Sequence, residues 1–421
     1  MKTLEPRSAH DFVSRHLRTN RPALLRGLTE SWGARDSWCL PSGAPDLNWL
    51  QHGPLSDLLV PVDAIPRDGS VGYGEARRSV LPLREFARQW AAVARGEDHT
   101  AKDLPYLRDW HFARECPHEA ARAYSAPAAF GLDWLNDWWM GARRSKASDS
   151  ESGTAADPDD FRFVYMGPAG SWTPLHHDVL NSFSWSANVC GAKRWLLFPP
   201  SVTHHLKDAA GRLVPDARPE SASATREARW PNLSLAQAQC IDVTQQAGEV
   251  IFVPSGWHHQ VHNLADTISI NHNWITAAGI RSLVKFLLGE FEGVRRTIVE
   301  WRGESGCSAR DASMMEPHAW HQHCQLLLRV DAGLDLPELV HLLSHYAVRA
   351  VRVCCARASR APPLAPPELH SCFSPDDLID HSRDASPKDA WYDLQQLLSS
   401  LRMIATQRAS GGSKPERCCV G

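Results

Sequence analysis

Between Phe161 and Trp274 the chain is built of short apolar runs, each of strand length and each closed by a turn residue. Phe161-Arg162-Phe163-Val164-Tyr165-Met166 is the first, Ser182 to Val189 the second, and Lys193-Arg194-Trp195-Leu196-Leu197-Phe198 the third. Gly191-Ala192 separates the last two as a tight turn, and Pro199-Pro200 stops the run. Strands resume at Ile241-Asp242-Val243, Val250-Ile251-Phe252-Val253, Trp257 to Asn263, and Thr267 to Trp274. Many short strands joined by turns predict a closed or double-sheet barrel of the jelly-roll kind. Residues 201 to 238 read as an irregular insertion within it.

The flanks are written differently, so the fold class is α+β. Residues 1–135 read as a mixed, mainly helical region. Asp11 to Leu17 and Leu83 to Trp90 carry apolar residues at helical spacing, and Asp133 to Trp139 reads as a short helix that docks by its indoles. Residues 136–160 are assigned to an acidic, Ser-rich loop and 161–276 to the barrel. Residues 277–405 are helical, with stripes such as Leu336-x-x-Leu339-Val340-x-Leu342-Leu343, and 406–421 form a polar, disordered tail. Each of the 17 tryptophans has a large area to bury, so most are expected to be packing residues.

Within the barrel lies Thr173-Pro174-Leu175-His176-His177-Asp178. Side chains alternate faces along a strand, so His176 and Asp178 share a face and His177 points the other way. Trp257-His258-His259 supplies a further histidine downstream, and alternation alone leaves His258 and His259 equally eligible. Two histidines and one carboxylate form the facial set that suits non-haem iron and leaves positions open for other ligands. Lys193 follows on an apolar strand, where an unpaired ammonium is costly. A dicarboxylate held by a metal at one end would present its other carboxylate to such a cation, and the Thr173 hydroxyl could donate to the same group. Thr267, Ser269, Asn271 and Asn273 share one face of the last strand. That face is either a ligand-lined interior or solvated, and spacing does not choose.

Other classes are less well supported. A net charge of −3 leaves no footprint for DNA or RNA. No apolar run approaches membrane-spanning length, and the first residues lack the apolar core of a secretion signal. The 11 cysteines, irregularly spaced and without Cys-x-x-Cys, are expected to be reduced thiols. The terminal Cys418-Cys419-Val420-Gly421 ends on the wrong residue for prenylation. His318, His321, His323 and Cys324 could be a small zinc cluster, but the spacing fits a packed helix face better.

These motifs resemble the JmjC family of Fe(II)- and 2-oxoglutarate-dependent oxygenases. The match runs through Thr173 to Asp178, Gly191-Ala192-Lys193-Arg194-Trp195-Leu196-Leu197-Phe198-Pro199, and Val253-Pro254-Ser255-Gly256-Trp257-His258-His259-Gln260-Val261-His262-Asn263. The resemblance implies a double-stranded β-helix, a cupin-like jelly roll. It implies Fe(II) on His176, Asp178 and His259, 2-oxoglutarate on Lys193 and Thr173, and O2 as the oxidant. Asn271, Asn273 and Tyr165 match positions that line the cosubstrate pocket, and Ser186 stands where some relatives have asparagine. Further runs, among them Tyr165 to Trp172, Ser182 to Ser186, Ile268 to Trp274, Tyr106 to His111 and Trp320 to Cys324, are similar to one subgroup. Members of that subgroup are lysyl hydroxylases. The resemblance therefore implies carbon-4 hydroxylation of the Asn-Ile-Lys-Ser lysine of the eukaryotic class-1 translation release factor, and the expected location is the cytoplasm, with the nucleus as the alternative. The alternatives are an N-methyl-lysine demethylase, or a non-catalytic binding module on the same scaffold.

Overall fold

The strand-rich part of the chain forms two antiparallel sheets. Strands β1 (Ala23–Leu25), β2 (Leu59–Pro66), β3 (Arg77–Pro82), β4 (Asp103–Trp110), β5 (Arg162–Gly167), β6 (Trp172–His176), β7 (Phe183–Cys190), β8 (Ala192–Phe198), β9 (Ile241–Gln246), β10 (Val250–Val253), β11 (His258–Asn263) and β12 (Thr267–Trp274) follow in chain order. The larger sheet has the order β1-β10-β7-β12-β5-β4-β2-β3 and the smaller β6-β11-β8-β9. This computed structural model describes residues 8–97, 102–149, 160–304, 317–358 and 387–410. The chain divides into two compact units. One comprises Met1–Met140, Ala156–Asp178 and Ser182–Trp274; the other comprises Gly141–Ala155, Val179–Asn181 and Ile275–Gly421.

In the first unit, all eight residues of β7 are buried, because both faces of the strand are covered. Phe183, Trp185, Ala187 and Val189 occupy one face, and Ser184, Ser186 and Asn188 the other. β12 repeats the pattern, and its register pairs Asn271 with Ser186 and Asn273 with Ser184. The apolar faces carry an aromatic cluster. Trp185 stacks on Phe130 at 5.3 Å, and Phe252 meets Phe12 edge-on at 5.2 Å. Trp274 lies 5.6 Å from Phe130 and Trp32 lies 6.3 Å from Trp185, so the indoles here are packing residues. The polar faces of β7 and β12 line the interior.

The two sheets are tied by apolar and polar contacts. Leu24, Ile251 and Val253 of the larger sheet pack with Trp195, Leu197, Val243 and Val261 of the smaller. Gln245 accepts from the Trp195 indole at 2.8 Å and donates to the Ser186 carbonyl at 2.7 Å. At full burial such groups must be paired, and here they are. The turn between β7 and β8 depends on Gly191, at φ +77°. A Cβ there would stand 2.1 Å from the Asp266 carbonyl oxygen.

The flanks depart from the sequence reading in three places. The N-terminal region is mixed and mainly helical, as expected, but it also supplies β1 to β4, half of the larger sheet. Their register comes from partners far along the chain, such as Ala23 with Phe252, which local periodicity does not report. Second, a helix runs Trp134–Asp149, through the first part of the expected acidic loop. The rest of that loop, 150–159, lies outside the described residues. Third, the last helix continues to Ser410, into the expected tail, of which 411–421 also lie outside the described residues. The insertion between β8 and β9 holds short helical turns at Pro200–Leu206, Ala224–Arg229 and Leu233–Gln237.

The second unit contains helices Ala277–Glu304, Pro317–Ala332, Leu336–Ala358 and Pro387–Ser410. Leu283, Leu287, Leu328, Leu339, Leu343 and Leu397 are buried in it. Gly333, at φ +74°, ends the second of these helices, and the Asp335 carboxylate caps the third by accepting from the Glu338 amide at 2.8 Å. No described helix is long and apolar enough to cross a membrane.

Candidate active site

His176 ends β6, and His259 lies directly opposite it on β11. Asp178 stands two residues beyond the end of β6, so strand alternation does not place it. It is placed instead by two strands of the other sheet. Ser184 of β7 donates to Asp178 Oδ2 at 2.7 Å, and Asn273 of β12 donates to Oδ1 at 2.8 Å. The ligand atoms of His176, Asp178 and His259 all come within 4.8 Å of one another. Among the described residues this is the only group of three or more that could hold a metal.

The protonation pattern suits metal binding. His176 Nδ1 lies 2.8 Å from the Pro174 carbonyl, and His259 Nδ1 lies 3.3 Å from the Trp257 carbonyl. A carbonyl accepts only, so each Nδ1 carries the proton and each Nε2 keeps its lone pair. Burial, and then the neighbouring His259, hold His176 well below the ordinary histidine range. Burial also lowers His259, against the opposing pull of Asp178. Both rings are therefore neutral near pH 7, the form a metal requires. His177 and His258 pair with each other instead, with ring centroids 5.1 Å apart. The register resolves the choice that alternation left open: His259, not His258, faces His176.

Lys193 is 2% exposed, and its ammonium donates to Ser269 Oγ at 2.7 Å. Burial pushes it down to about 7. Such a group is poised for an anion, so the residues fit a dicarboxylate cosubstrate. Around it lie Tyr165, whose ring centroid is 6.0 Å from the ammonium, and Asn271, which accepts from Ser186 Oγ at 2.9 Å. Ser186 thus keeps a polar contact at the position where some relatives carry asparagine. Thr173 is nearly buried and shares a hydrogen-bond contact with the fully buried Tyr106 hydroxyl. The polar face of β12 is a lined interior, with two reassignments. Asn273 holds the metal-binding carboxylate rather than the Lys193 pocket, and Thr267 turns back to its own loop, donating to the Ala265 carbonyl at 2.6 Å.

Sequence reasoning missed four contributors: Tyr73, Tyr106, Arg108 and Ser184. Tyr73 comes from the β2–β3 connection, in a Gly-Tyr-Gly tip, and stacks on His176 with centroids 4.2 Å apart and planes 9° apart. Arg108, on β4, lies 4.9 Å over the same ring. The available signal was that Tyr106, Arg108 and Ser184 stand on runs already singled out for their similarity to relatives. The cluster suggested at His318 to Cys324 lies on the helix Pro317–Ala332. There Cys324 is buried and His321 contacts Gln325 at 3.3 Å, and the His318 side chain lies outside the described residues.

Comparison with known proteins agrees with this geometry. Residues 163–274 match the JmjC domain family, described as a hydroxylase domain. The human 2-oxoglutarate and iron-dependent oxygenase JMJD4 is 38% identical over 344 residues, covering 82% of this chain and 74% of the relative. The Danio rerio protein of the same name is 36% identical over 396 residues, covering 93% and 83%. An Arabidopsis thaliana protein named arginine-specific demethylase JMJ20 is 35% identical over 340 residues, covering 80% and 68%. Iron and 2-oxoglutarate are thus the groups this site uses, and the chain belongs to the JmjC family of 2-oxoglutarate and iron-dependent oxygenases, among the JMJD4 proteins.

Proposed function

We propose that this oxygenase is a protein-lysine 4-hydroxylase. Its substrate on this reading is the lysine of the Asn-Ile-Lys-Ser motif in the eukaryotic class-1 translation release factor, and its effect is to promote termination in the cytoplasm. The supporting observation is that the runs similar to the lysyl hydroxylase subgroup, Tyr165 to Trp172 and Ile268 to Trp274, supply the site itself, with Tyr165 and Ser269 beside Lys193 and Asn273 on the Asp178 carboxylate.

The roles follow from position. His176, Asp178 and His259 would hold Fe(II) by one face, with Ser184 and Asn273 fixing the carboxylate. Lys193 and Ser269, with Thr173 and Tyr165 nearby, would hold the far carboxylate of 2-oxoglutarate. Iron and 2-oxoglutarate, when bound, supply the oxidising power that side chains lack, so that O2 converts a C–H bond to C–OH with succinate and CO2 as by-products. The chain's own part is orientation and dryness. Lys193, Ser186 and Ser269 are almost fully buried, so water is kept from the end of the pocket that takes the far carboxylate.

The test is mass spectrometry of a release-factor fragment incubated with the protein, Fe(II), 2-oxoglutarate and air. One oxygen atom gained, localised to the motif lysine, is the expected result. The name of the plant relative motivates a second reading, removal of methyl groups from arginine. Loss of a methyl group from a methyl-arginine peptide, with the lysine unchanged, would replace the first reading by this one.

A further inference from the structure

Arg108 is a buried cation whose donors are unused. Only 4% of its surface is exposed, yet no side-chain N–H of Arg108 makes a hydrogen bond among the described residues, and its Nε is fully enclosed. Its charge is balanced all the same. Nε lies 3.1 Å from Asp63 Oδ2 and 3.8 Å from Asp109 Oδ2, close enough for ion pairing but without hydrogen-bond alignment. Asp63 and Asp109 spend their hydrogen bonds on Arg78, at 2.7 Å each, and Asp109 also accepts from the Tyr165 hydroxyl at 2.8 Å. Arg108 therefore lacks acceptors rather than counter-charge, and a ligand oxygen would meet that need.

The backbone shows that this placement is built in. β4 pairs with β5 at Leu107 and Met166, and a bulge follows before Trp110. Asp109 sits in it at φ +58°, a costly conformation for a residue other than glycine. The bulge sets Arg108 beside Tyr165, whose other neighbours are Ser269 and, through its ring, Lys193. The Tyr73 ring touches both Arg108 and the metal ligand His176. Two buried cations thus border one pocket: Lys193 on the Ser269 side and Arg108 on the His176 side.

We propose that Arg108 is a second anchor for the cosubstrate, donating to the oxygens of its iron-proximal carboxylate while Lys193 holds the distal one. The inference rests on the Lys193 pocket being the 2-oxoglutarate site. A guanidinium suits the role because its planar fork matches a carboxylate and it cannot lose its proton. A peptide substrate is a poorer fit for these donors. Tyr73, 45% exposed, stands between Arg108 and the outside, so an incoming chain meets the tyrosine first.

The test compares two oxo acids on the full-length protein loaded with Fe(II) in the absence of oxygen, read from the visible charge-transfer absorbance of the iron–oxo acid chelate. One acid is 2-oxoglutarate; the other is 2-oxovalerate, which keeps the 2-oxo acid end and lacks the far carboxylate. Arg108→Met is expected to weaken both acids by the same factor, roughly tenfold to a hundredfold, and Arg108→Lys by about tenfold. Lys193→Met is expected to weaken 2-oxoglutarate and leave 2-oxovalerate unchanged. Arg108→Lys keeps a cation beside Asp63, so it carries the test if Arg108→Met fails to fold. Wild-type affinity for both acids in the Arg108 variants would overturn the inference and make Arg108 a structural or peptide-contacting residue. Loss of 2-oxoglutarate binding alone would overturn it too, by moving Arg108 to the far end. Wild-type affinity for 2-oxoglutarate in Lys193→Met would instead remove the pocket on which the inference rests.

Discussion

At the scale of single residues, the site is governed by which polar atoms are left without a partner. Lys193 bears its burial as a penalty until an anion arrives. Its folded value, about 7, lies below the ordinary 10.5. Between those values the unfolded chain binds more protons than the fold, so the stability of the ligand-free protein rises with pH across that window. Below about 7 the penalty is fully present. Lys193→Met is therefore expected to weaken 2-oxoglutarate binding and yet stabilise the ligand-free protein by about 1–3 kcal/mol near pH 7, seen as a higher melting temperature. An unchanged or lower melting temperature would contradict the burial argument. The sign for the ligand is opposite. 2-Oxoglutarate selects the charged lysine, so its affinity should fall by up to about tenfold per pH unit above 7, and calorimetric titration at several pH values checks this. Asn273→Ala frees one oxygen of Asp178 and is expected to lower Fe(II) affinity by about 10–100-fold without unfolding the protein, measured by metal titration. His176 was legible in the sequence from strand alternation, whereas Lys193 and the Ser269 to Asn273 face needed the family resemblance, because spacing left that face either lined or solvated. Asp178 was found for the wrong reason, since β6 has already ended there. Tyr73 and Arg108 were not legible, since they arrive from the β2–β3 connection and from β4, far from His176 in sequence and placed by tertiary contact.

At the scale of elements, strands β7 and β12 carry the design. One face of each is aromatic and packs outward, while the other is Ser and Asn and lines the pocket, so a single period-2 pattern builds core and site together. A slip of one residue would exchange the two faces. Gly191 guards against that slip at the β7–β8 turn. Gly191→Ala forces φ +77° on a side chain and drives its Cβ to 2.1 Å from the Asp266 carbonyl. A loss of about 2 kcal/mol or more is expected, measured by chemical denaturation, and a loss below about 0.5 kcal/mol would show that the turn relaxes freely. The turn was readable from Gly191-Ala192. The β4 bulge at Asp109 was not, because nothing in Leu107-Arg108-Asp109-Trp110 marks a positive φ locally.

At the scale of the whole molecule, the match to the family covers residues 163–274, but the site does not stop there. β1 pairs with β10, and β4 pairs with β5. Tyr73, Tyr106 and Arg108 all precede residue 163. A fragment starting at Arg162 would expose the edges of β10 and β5 as well as the aromatic face of β7 and β12. It is expected to be insoluble or to lack the dispersed amide spectrum of a folded protein, and a fragment that folded and bound 2-oxoglutarate would contradict the role given to the N-terminal strands. The strands within the mainly helical N-terminal region were not legible because β1, at three residues, is too short to show a period, while β3 is largely exposed and so lacks one. The central claim is that His176, Asp178 and His259 hold the iron where Lys193 delivers 2-oxoglutarate. It is tested most directly by measuring succinate formed from 2-oxoglutarate by the purified protein with Fe(II), wild type against His176→Ala. The account predicts turnover by the wild type and background for the variant; equal succinate from both would contradict it.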